Sequence, residues 1–260
     1  MTAANPHSQL PSAVGTWREP PANVTLPADE VHVWRAPLEQ TDERLECLRG
    51  TLAPDECERA ARFHFERHRR HFVAARGLLR ELLSLYLKLP PARLRFVYTA
   101  YGKPHLADGS GGGWLRFNIS HSGGLALYAF SRGRELGVDI EEVRADFEHG
   151  EIAERFFSRQ EVAALRGLPA SLQQEAFFIC WTRKEAYIKG IGEGLSLPLD
   201  SFDVSLTPGA PASLLAVRGD AREGARWDLR DLEPGPGYHA ALVAEGHDWH
   251  LRRWQFRPSL

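Results

Sequence analysis

Three carboxylates in apolar surroundings are the residues of this chain best placed to do chemistry. Asp139 and Glu141 lie in Gly137-Val138-Asp139-Ile140-Glu141, and Glu185 lies in Trp181-Thr182-Arg183-Lys184-Glu185-Ala186. Val138 and Ile140 flank Asp139 at the spacing of a buried strand, so Asp139 and Glu141, two residues apart, share one face. Two like charges side by side destabilise a sheet unless a cation or a proton lies between them. An all-oxygen donor set without His or Cys suits a hard cation such as Mg²⁺, which also takes oxygens from phosphate. Glu185 would supply a third oxygen from a separate helix. The plain alternative is that Asp139 and Glu141 sit at a solvated strand end.

Four further clusters surround this core. Residues 59–80 carry seven arginines (Arg59, Arg62, Arg67, Arg69, Arg70, Arg76 and Arg80) against one acid, Glu66, with His64, His68 and His71 among them. The planar fork of arginine suits phosphate oxygens, so at least one of Arg59, Arg67 and Arg76 is expected on an anion, against the alternative of a solvated helix face. Tyr101-Gly102-Lys103-Pro104 is a turn offering backbone groups and one cation. In Phe117-Asn118-Ile119-Ser120-His121-Ser122, the Ser120 and Ser122 hydroxyls can donate to phosphate, and His121 can add a charge-assisted bond. Adjacent strand residues point apart, so Ser120 and His121 are not a nucleophile–base couple, and a serine hydrolase is disfavoured. Trp181, Glu185 and Lys189 stand at i, i+4 and i+8 of one helix. Taken alone, Glu185–Lys189 could be an intrahelical ion pair and Lys184 a surface charge.

The elements that must position these groups follow from periodicity. A first strand is expected at 31–35, helices at 41–50 and 55–66, and a longer helix at 68–88 with Phe72, Ala75, Leu79, Leu82, Leu83 and Tyr86 on one face, stopped by Pro90-Pro91. Strands follow at 93–98, 115–119, 125–130 and 137–141. Helical segments come next at 148–156, 159–166 and 171–190, the last ended by glycine. Strands close the chain near 201–206, 213–217, 226–232, 238–244 and 249–256. A long helix thus accompanies a set of strands in each half, with the change-over near 131–136. This reads as an α+β protein of two similar lobes, 29–132 and 133–260, behind a loose proline-rich tail at 1–28, with the site in the cleft between them. Because one chain supplies both walls, a monomer is expected.

Composition bounds the partners. Hydrophobic content of 43% and charged content of 25% are those of a soluble globular protein, and 260 residues can build two small cores. A formal net charge of −2 gives no global drive toward nucleic acid or an anionic membrane, so neither is expected as a partner. Three scattered cysteines suggest buried thiols in a reducing compartment. With no long apolar run, the expectation is a cytoplasmic protein.

In order, Gly102-Lys103-Pro104, Phe117 to Ser122, Gly137 to Glu141, Phe156-Phe157-Ser158 with Glu161, Trp181 to Ala186 with Lys189, and Gly194-Leu195-Ser196-Leu197-Pro198-Leu199 span roughly residues 54–206 together with the basic segment. This ordered set resembles the surfactin-synthetase-activating type of 4′-phosphopantetheinyl transferase. The resemblance implies a two-lobed fold and transfer of phosphopantetheine from coenzyme A to a serine of an apo acyl or peptidyl carrier protein, with release of 3′,5′-ADP. It further implies that Asp139, Glu141 and Glu185 hold Mg²⁺ on the pyrophosphate, and that Glu185 is also the base for the carrier serine. Lys189 would neutralise pyrophosphate charge, and Lys103 with Pro104 would line the adenine site. Ser120, His121 and the basic residues Arg59, Arg67 and Arg76 would grip the phosphates. Two other readings use the same residues differently: a Mg²⁺-dependent phosphodiesterase acting with water, and a non-catalytic carrier-binding adaptor, which would need no carboxylate triad.

Overall fold

A computed structural model describes residues 16–108, 111–144, 149–220 and 222–257. The first half comprises β1 (Glu30–Pro37), α1 (Asp42–Arg49), α2 (Pro54–Ala61), α3 (Glu66–Leu87), β2 (Phe96–Tyr98), β3 (Pro104–Leu106), β4 (Leu115–Ser122) and β5 (Leu125–Arg132). The second comprises β6 (Leu136–Glu142), α4 (His149–Phe156), α5 (Arg159–Gly167), α6 (Ala170–Ile191), β7 (Phe202–Val204), β8 (Leu214–Val217), α7 (Glu223–Arg226), β9 (Trp227–Leu232), β10 (Tyr238–Glu245) and β11 (His250–Gln255). The α+β class expected from periodicity is the one found. The second helix is shorter than its spacing indicates, and α3 stops before the prolines: Lys88 already turns left-handed at φ 55° and donates its N–H back to Ser84.

Each long helix covers one sheet. The first sheet has the order β11-β1-β5-β4, and α3 packs its Ala75, Leu78, Leu79, Leu82 and Leu83 against Trp34, Tyr128 and Phe130. The second has the order β6-β10-β9, and α6 packs Ala176, Phe177, Ala186 and Tyr187 against Ala241 and Val243. The other faces of the two sheets meet each other. Val31, Val33, Leu127 and Ala129 of the first close on Val138, Ile140, Ala240 and Leu242 of the second. Alternation along β6 therefore sends Val138 and Ile140 into the core between the sheets and leaves Gly137, Asp139 and Glu141 on the α6 side. Burying two such side chains is worth about 1.5–3 kcal/mol each, and a one-residue slip would forfeit both, which fixes the register.

Two expectations about the chain ends need correction. β11 does not stay with the lobe that precedes it. It pairs in parallel with β1, Glu30 opposite His250 through Arg35 opposite Gln255, and so completes the first sheet. The segment after residue 15 is not loose: Arg18 bridges to Trp254, and Val24 and Leu26 are buried in the first core. The expected tail at 1–15 lies outside the described residues. The expectation of buried thiols holds for Cys180 but not for Cys47, which is exposed.

Candidate active site

The site forms where β4 runs beside β6. Among the described residues no backbone ladder links these strands, and side chains take its place. Asn118 Oδ1 accepts from the Val138 N–H at 2.9 Å, and Ser122 Oγ accepts from the Glu142 N–H at 3.1 Å. Between them, Ser120 Oγ donates to Asp139 Oδ1 at 2.8 Å, and Ser122 Oγ donates to Glu141 Oε2 at 2.8 Å. Residues 118, 120 and 122 serve because alternate strand residues share a face. Asp139 is 2% exposed.

Helix α6 brings the remaining groups. Gly137 lets it approach: a Cβ there would sit 2.1 Å from the Ala186 carbonyl oxygen and 2.3 Å from the Gly190 nitrogen. At that closeness Lys189 Nζ reaches Asp139 Oδ1 at 2.6 Å and Ser120 Oγ at 2.9 Å. Two buried cations anchor the helix on its other side. Lys184 Nζ donates to the carbonyls of Leu199 and Phe202 at 2.7 Å each and pairs with Glu161 Oε2 at 2.8 Å. Arg183 Nε donates to Asp231 Oδ1 at 2.9 Å. Lys184 is thus a core residue and not a surface charge. Its partner Glu161 also closes a capping box with Ser158 at the start of α5. With Lys184 locked inward, the helix turns Glu185 and Lys189 toward the sheet edge.

Electrostatics at this edge are unbalanced. Burial, and then the Asp139 charge, push the Glu185 carboxyl above the usual carboxylate range. The same two causes raise Glu141, against the hydrogen bond from Ser122. Asp139 Oδ2 is buried with no hydrogen-bond partner, an arrangement that costs free energy unless something binds there. No group of three or more His, Cys, Asp or Glu among the described residues is gathered at metal-ligand spacing; Lys189 and the serines engage carboxylate oxygens instead. An orphaned buried oxygen beside two carboxyls that resist ionisation nevertheless fits a divalent cation held by Asp139, Glu141 and Glu185, and the all-oxygen donor set fits Mg²⁺.

The other expected residues divide. His121 lies where Lys189 and His71 both act on it; the surrounding protein and then these charges hold its imidazole below its ordinary value, although its outer surface stays open to solvent. Arg67 is exposed and lies 3.8 Å from Glu39, the carboxylate that also binds His71. Arg67, His71 and His121 therefore form one basic flank reaching toward Lys189. Arg59 instead lies over the Phe72 ring at 5.5 Å. Arg76 is buried: its Nε donates to Glu56 Oε1 at 2.7 Å, its fork also reaches the Tyr98 hydroxyl, and Arg80 holds the other Glu56 oxygen. This guanidinium belongs to the first core, and the anion it meets there is the Glu56 carboxylate and not a surface ligand. Lys103 is turned inward and Pro104 stands opposite Tyr98 in the β2–β3 hairpin. Sequence reasoning missed Glu39 and Glu56, counted His71 only as added charge, and read Asn118 only as part of a motif. A cavity of about 480 Å³ among α1, α2 and α3 shares none of these carboxylates, and its Arg49, Arg69 and Arg70 are already paired with Glu46, Glu66 and Asp42.

Comparison with known proteins places the chain in one family. Residues 135–243 match the family model of the 4′-phosphopantetheinyl transferase superfamily, and residues 34–132 match that of a 4′-phosphopantetheinyl transferase N-terminal region. The chain is 41% identical over 241 residues to the 4′-phosphopantetheinyl transferase HetI of Nostoc sp., covering 93% of this chain and 98% of that one. It is 33% identical over 213 residues to the 4′-phosphopantetheinyl transferase Sfp of Bacillus subtilis, covering 82% and 90%. The human L-aminoadipate-semialdehyde dehydrogenase-phosphopantetheinyl transferase is 32% identical over 168 residues, covering 61% and 54%. The two matched regions take in β4, β6, α6 and most of β10, and the chain belongs to the two-lobed 4′-phosphopantetheinyl transferases.

Proposed function

We propose that this chain transfers the 4′-phosphopantetheine group of coenzyme A to a serine of an apo acyl or peptidyl carrier protein, with Mg²⁺ held by Asp139, Glu141 and Glu185. The observation that carries the site is Asp139, buried at the seam with one oxygen on Lys189 and Ser120 and the other without a partner. The carrier serine oxygen attacks the phosphorus that bears the pantetheine arm. The bond from that phosphorus to the bridging oxygen breaks, and 3′,5′-ADP leaves with the electron pair. Glu185, the carboxylate that α6 carries into the field of Asp139, receives the serine proton. Lys189 faces the negative charge that gathers on the pyrophosphate oxygens, and its partly exposed ammonium can turn from Asp139 to them. Bound Mg²⁺ would supply further neutralisation of that charge. Ser120, His121 and Arg67 orient the phosphates, with Arg67 and His121 on the side suited to the 3′-phosphate. Pro104 and the backbone of Lys103 stand in the hairpin that would border the adenine, while the Lys103 ammonium is turned inward onto the protein.

The test is mass spectrometry of candidate apo carriers incubated with coenzyme A, with and without Mg²⁺. The expected result is a carrier heavier by one phosphopantetheine, dependent on the metal. Release of 3′,5′-ADP without any carrier would favour the phosphodiesterase reading instead. Both lobes line the site within one chain, so light scattering is expected to return the mass of a single chain. The cytoplasm is the compartment in which coenzyme A and a free thiol such as Cys47 are both at home.

A further inference from the structure

Lys103 carries a role separate from ligand contact. Its side chain is 8% exposed, and its ammonium meets three acceptors: Glu135 Oε2 at 3.3 Å, the Leu136 carbonyl at 3.4 Å and the Gly190 carbonyl at 3.1 Å. The lysine comes from the first half of the chain, just before β3. Its acceptors come from the second: the start of β6 and the last turn of α6. Glu135 is itself fixed, since Arg116 Nε donates to Oε1 at 2.8 Å and the Glu135 N–H donates to Glu245 Oε2 at 3.0 Å. A cation at the C-terminal end of the 22-residue α6 also meets the favourable end of the helix dipole. Burial lowers the Lys103 pKa, and the Glu135 carboxylate beside it offsets part of that.

The acceptors bracket the reactive pair. Gly190 follows Lys189 directly, and Leu136 precedes Asp139 by three residues on the same strand. We infer that Lys103 is a positioning residue, which ties the last turn of α6 to the start of β6 and thereby sets Lys189 over Asp139. Its stem packs against Gly192, where an added Cβ would lie 3.2 Å from Lys103 Cδ, so the left-handed turn that ends α6 is shaped around this side chain. The kinetic part of the inference rests on the transferase reading. A cation that bound coenzyme A directly would act on affinity. A cation that aligns Lys189 acts on the chemical step, where misplacement by about 1 Å can cost on the order of a hundredfold.

The experiment compares wild type, Lys103→Met and Glu135→Gln as full chains. It uses steady-state transfer to an apo carrier, calorimetric binding of coenzyme A, and a crystal structure of Lys103→Met. Lys103→Met is expected to lower kcat about tenfold or more while coenzyme A affinity stays within about threefold. In its crystal structure the Lys189 Nζ–Asp139 Oδ1 contact should open beyond about 3.5 Å. Glu135→Gln, whose side chain lies outside the ligand-facing groups, should shift kcat in the same direction by a smaller factor, and it carries the test if Lys103→Met does not fold. Weakened coenzyme A binding at unchanged kcat, or an intact Lys189–Asp139 bond with full turnover, would overturn the assignment. Absence of transfer in the wild type would instead overturn the function it rests on, while the crystal structure would still report on the tie.

Discussion

Replacing Glu185 by glutamine should make the metal-free protein more stable and less active at once. The carboxyl is raised by burial and by Asp139, with Glu141 adding to the repulsion. A group whose pKa is higher in the folded state binds its proton more tightly there, so folding loses stability as pH rises from the unfolded value through the folded one. A glutamine side chain would keep the shape and cannot ionise. Relief of unfavourable charge is commonly worth about 0.5–2 kcal/mol, and for a chain of this size each kcal/mol moves Tm by about 2–4 °C, which gives roughly 1–8 °C. The assay is thermal unfolding of wild type and Glu185→Gln in chelator at about pH 7.5 and about pH 4, on either side of the ordinary glutamate value. The variant should melt higher at the first pH, and the gap should shrink at the second, where Glu185 is largely protonated in both states. Mg²⁺ with coenzyme A should raise the wild type more than the variant, because only the former keeps three carboxylates. A variant that melts lower at about pH 7.5, or a gap that does not change with pH, would refute the electrostatic account of the site.

Asp139→Ala and Lys189→Ala should each lower transfer at least about a hundredfold, a loss near 2.7 kcal/mol of barrier lowering, with circular dichroism unchanged; near wild-type turnover in either folded variant counts against the site. Arg67→Ala should erase most of the preference for coenzyme A over its 3′-dephospho form, a roughly ten- to hundredfold effect for a charge-assisted bond of about 1.5–3 kcal/mol, and equal preference in variant and wild type would assign Arg67 to a solvated face. Glu56→Ala should destabilise by about 3–5 kcal/mol, since it strands the buried Arg76 and Arg80 guanidinium groups. That corresponds to a Tm drop of roughly 6–20 °C, and calorimetry showing a drop under about 2 °C would contradict the clamp.

Local spacing carried the parts of the site that depend on one element. The period of two placed Asp139 and Glu141 on one face, and the helical period placed Glu185 with Lys189. Both hold because a strand or a helix fixes side-chain direction over a few residues. What spacing cannot supply is the partner across a gap in sequence. Nothing in residues 250–255 distinguishes a strand that joins β10 from one that joins β1, and the outcome rests on long-range pairing. Charge is the other blind spot. Arg76 and Arg80 are rich in positive charge and read as an anion surface, yet they stand at 76 and 80 amid Phe72, Leu79 and Leu83, on the buried stripe of α3. That position is the signal that could have assigned them to the core. Glu56, one turn before the buried Ala60 on α2, gives the matching sign.

The seam itself explains how a folded core can hold a site ready for a ligand. Behind β4 and β6 the two sheets are joined by apolar burial, as in Val138 and Ile140 against Val33 and Leu127. In front they are joined by polar side chains. The Asn118 and Ser122 bonds to backbone N–H groups satisfy donors that a backbone ladder would otherwise have taken, and removing the Asn118 side chain would leave the buried Val138 N–H unpaired at a cost of about 1–3 kcal/mol. The bonds from Ser120 and Lys189 to Asp139 differ in kind. They involve side chains alone, and Lys189 retains 28% exposure. A phosphate can take both donors, and a cation can then take the carboxylate they release, without breaking any bond that holds the strands together. Alternate residues of one strand thus divide the work. Asn118 holds the backbone of the partner strand, Ser122 holds both that backbone and the Glu141 carboxylate, and Ser120, between them, bonds only side chains, among them the Asp139 carboxylate that would exchange partners in the proposed reaction.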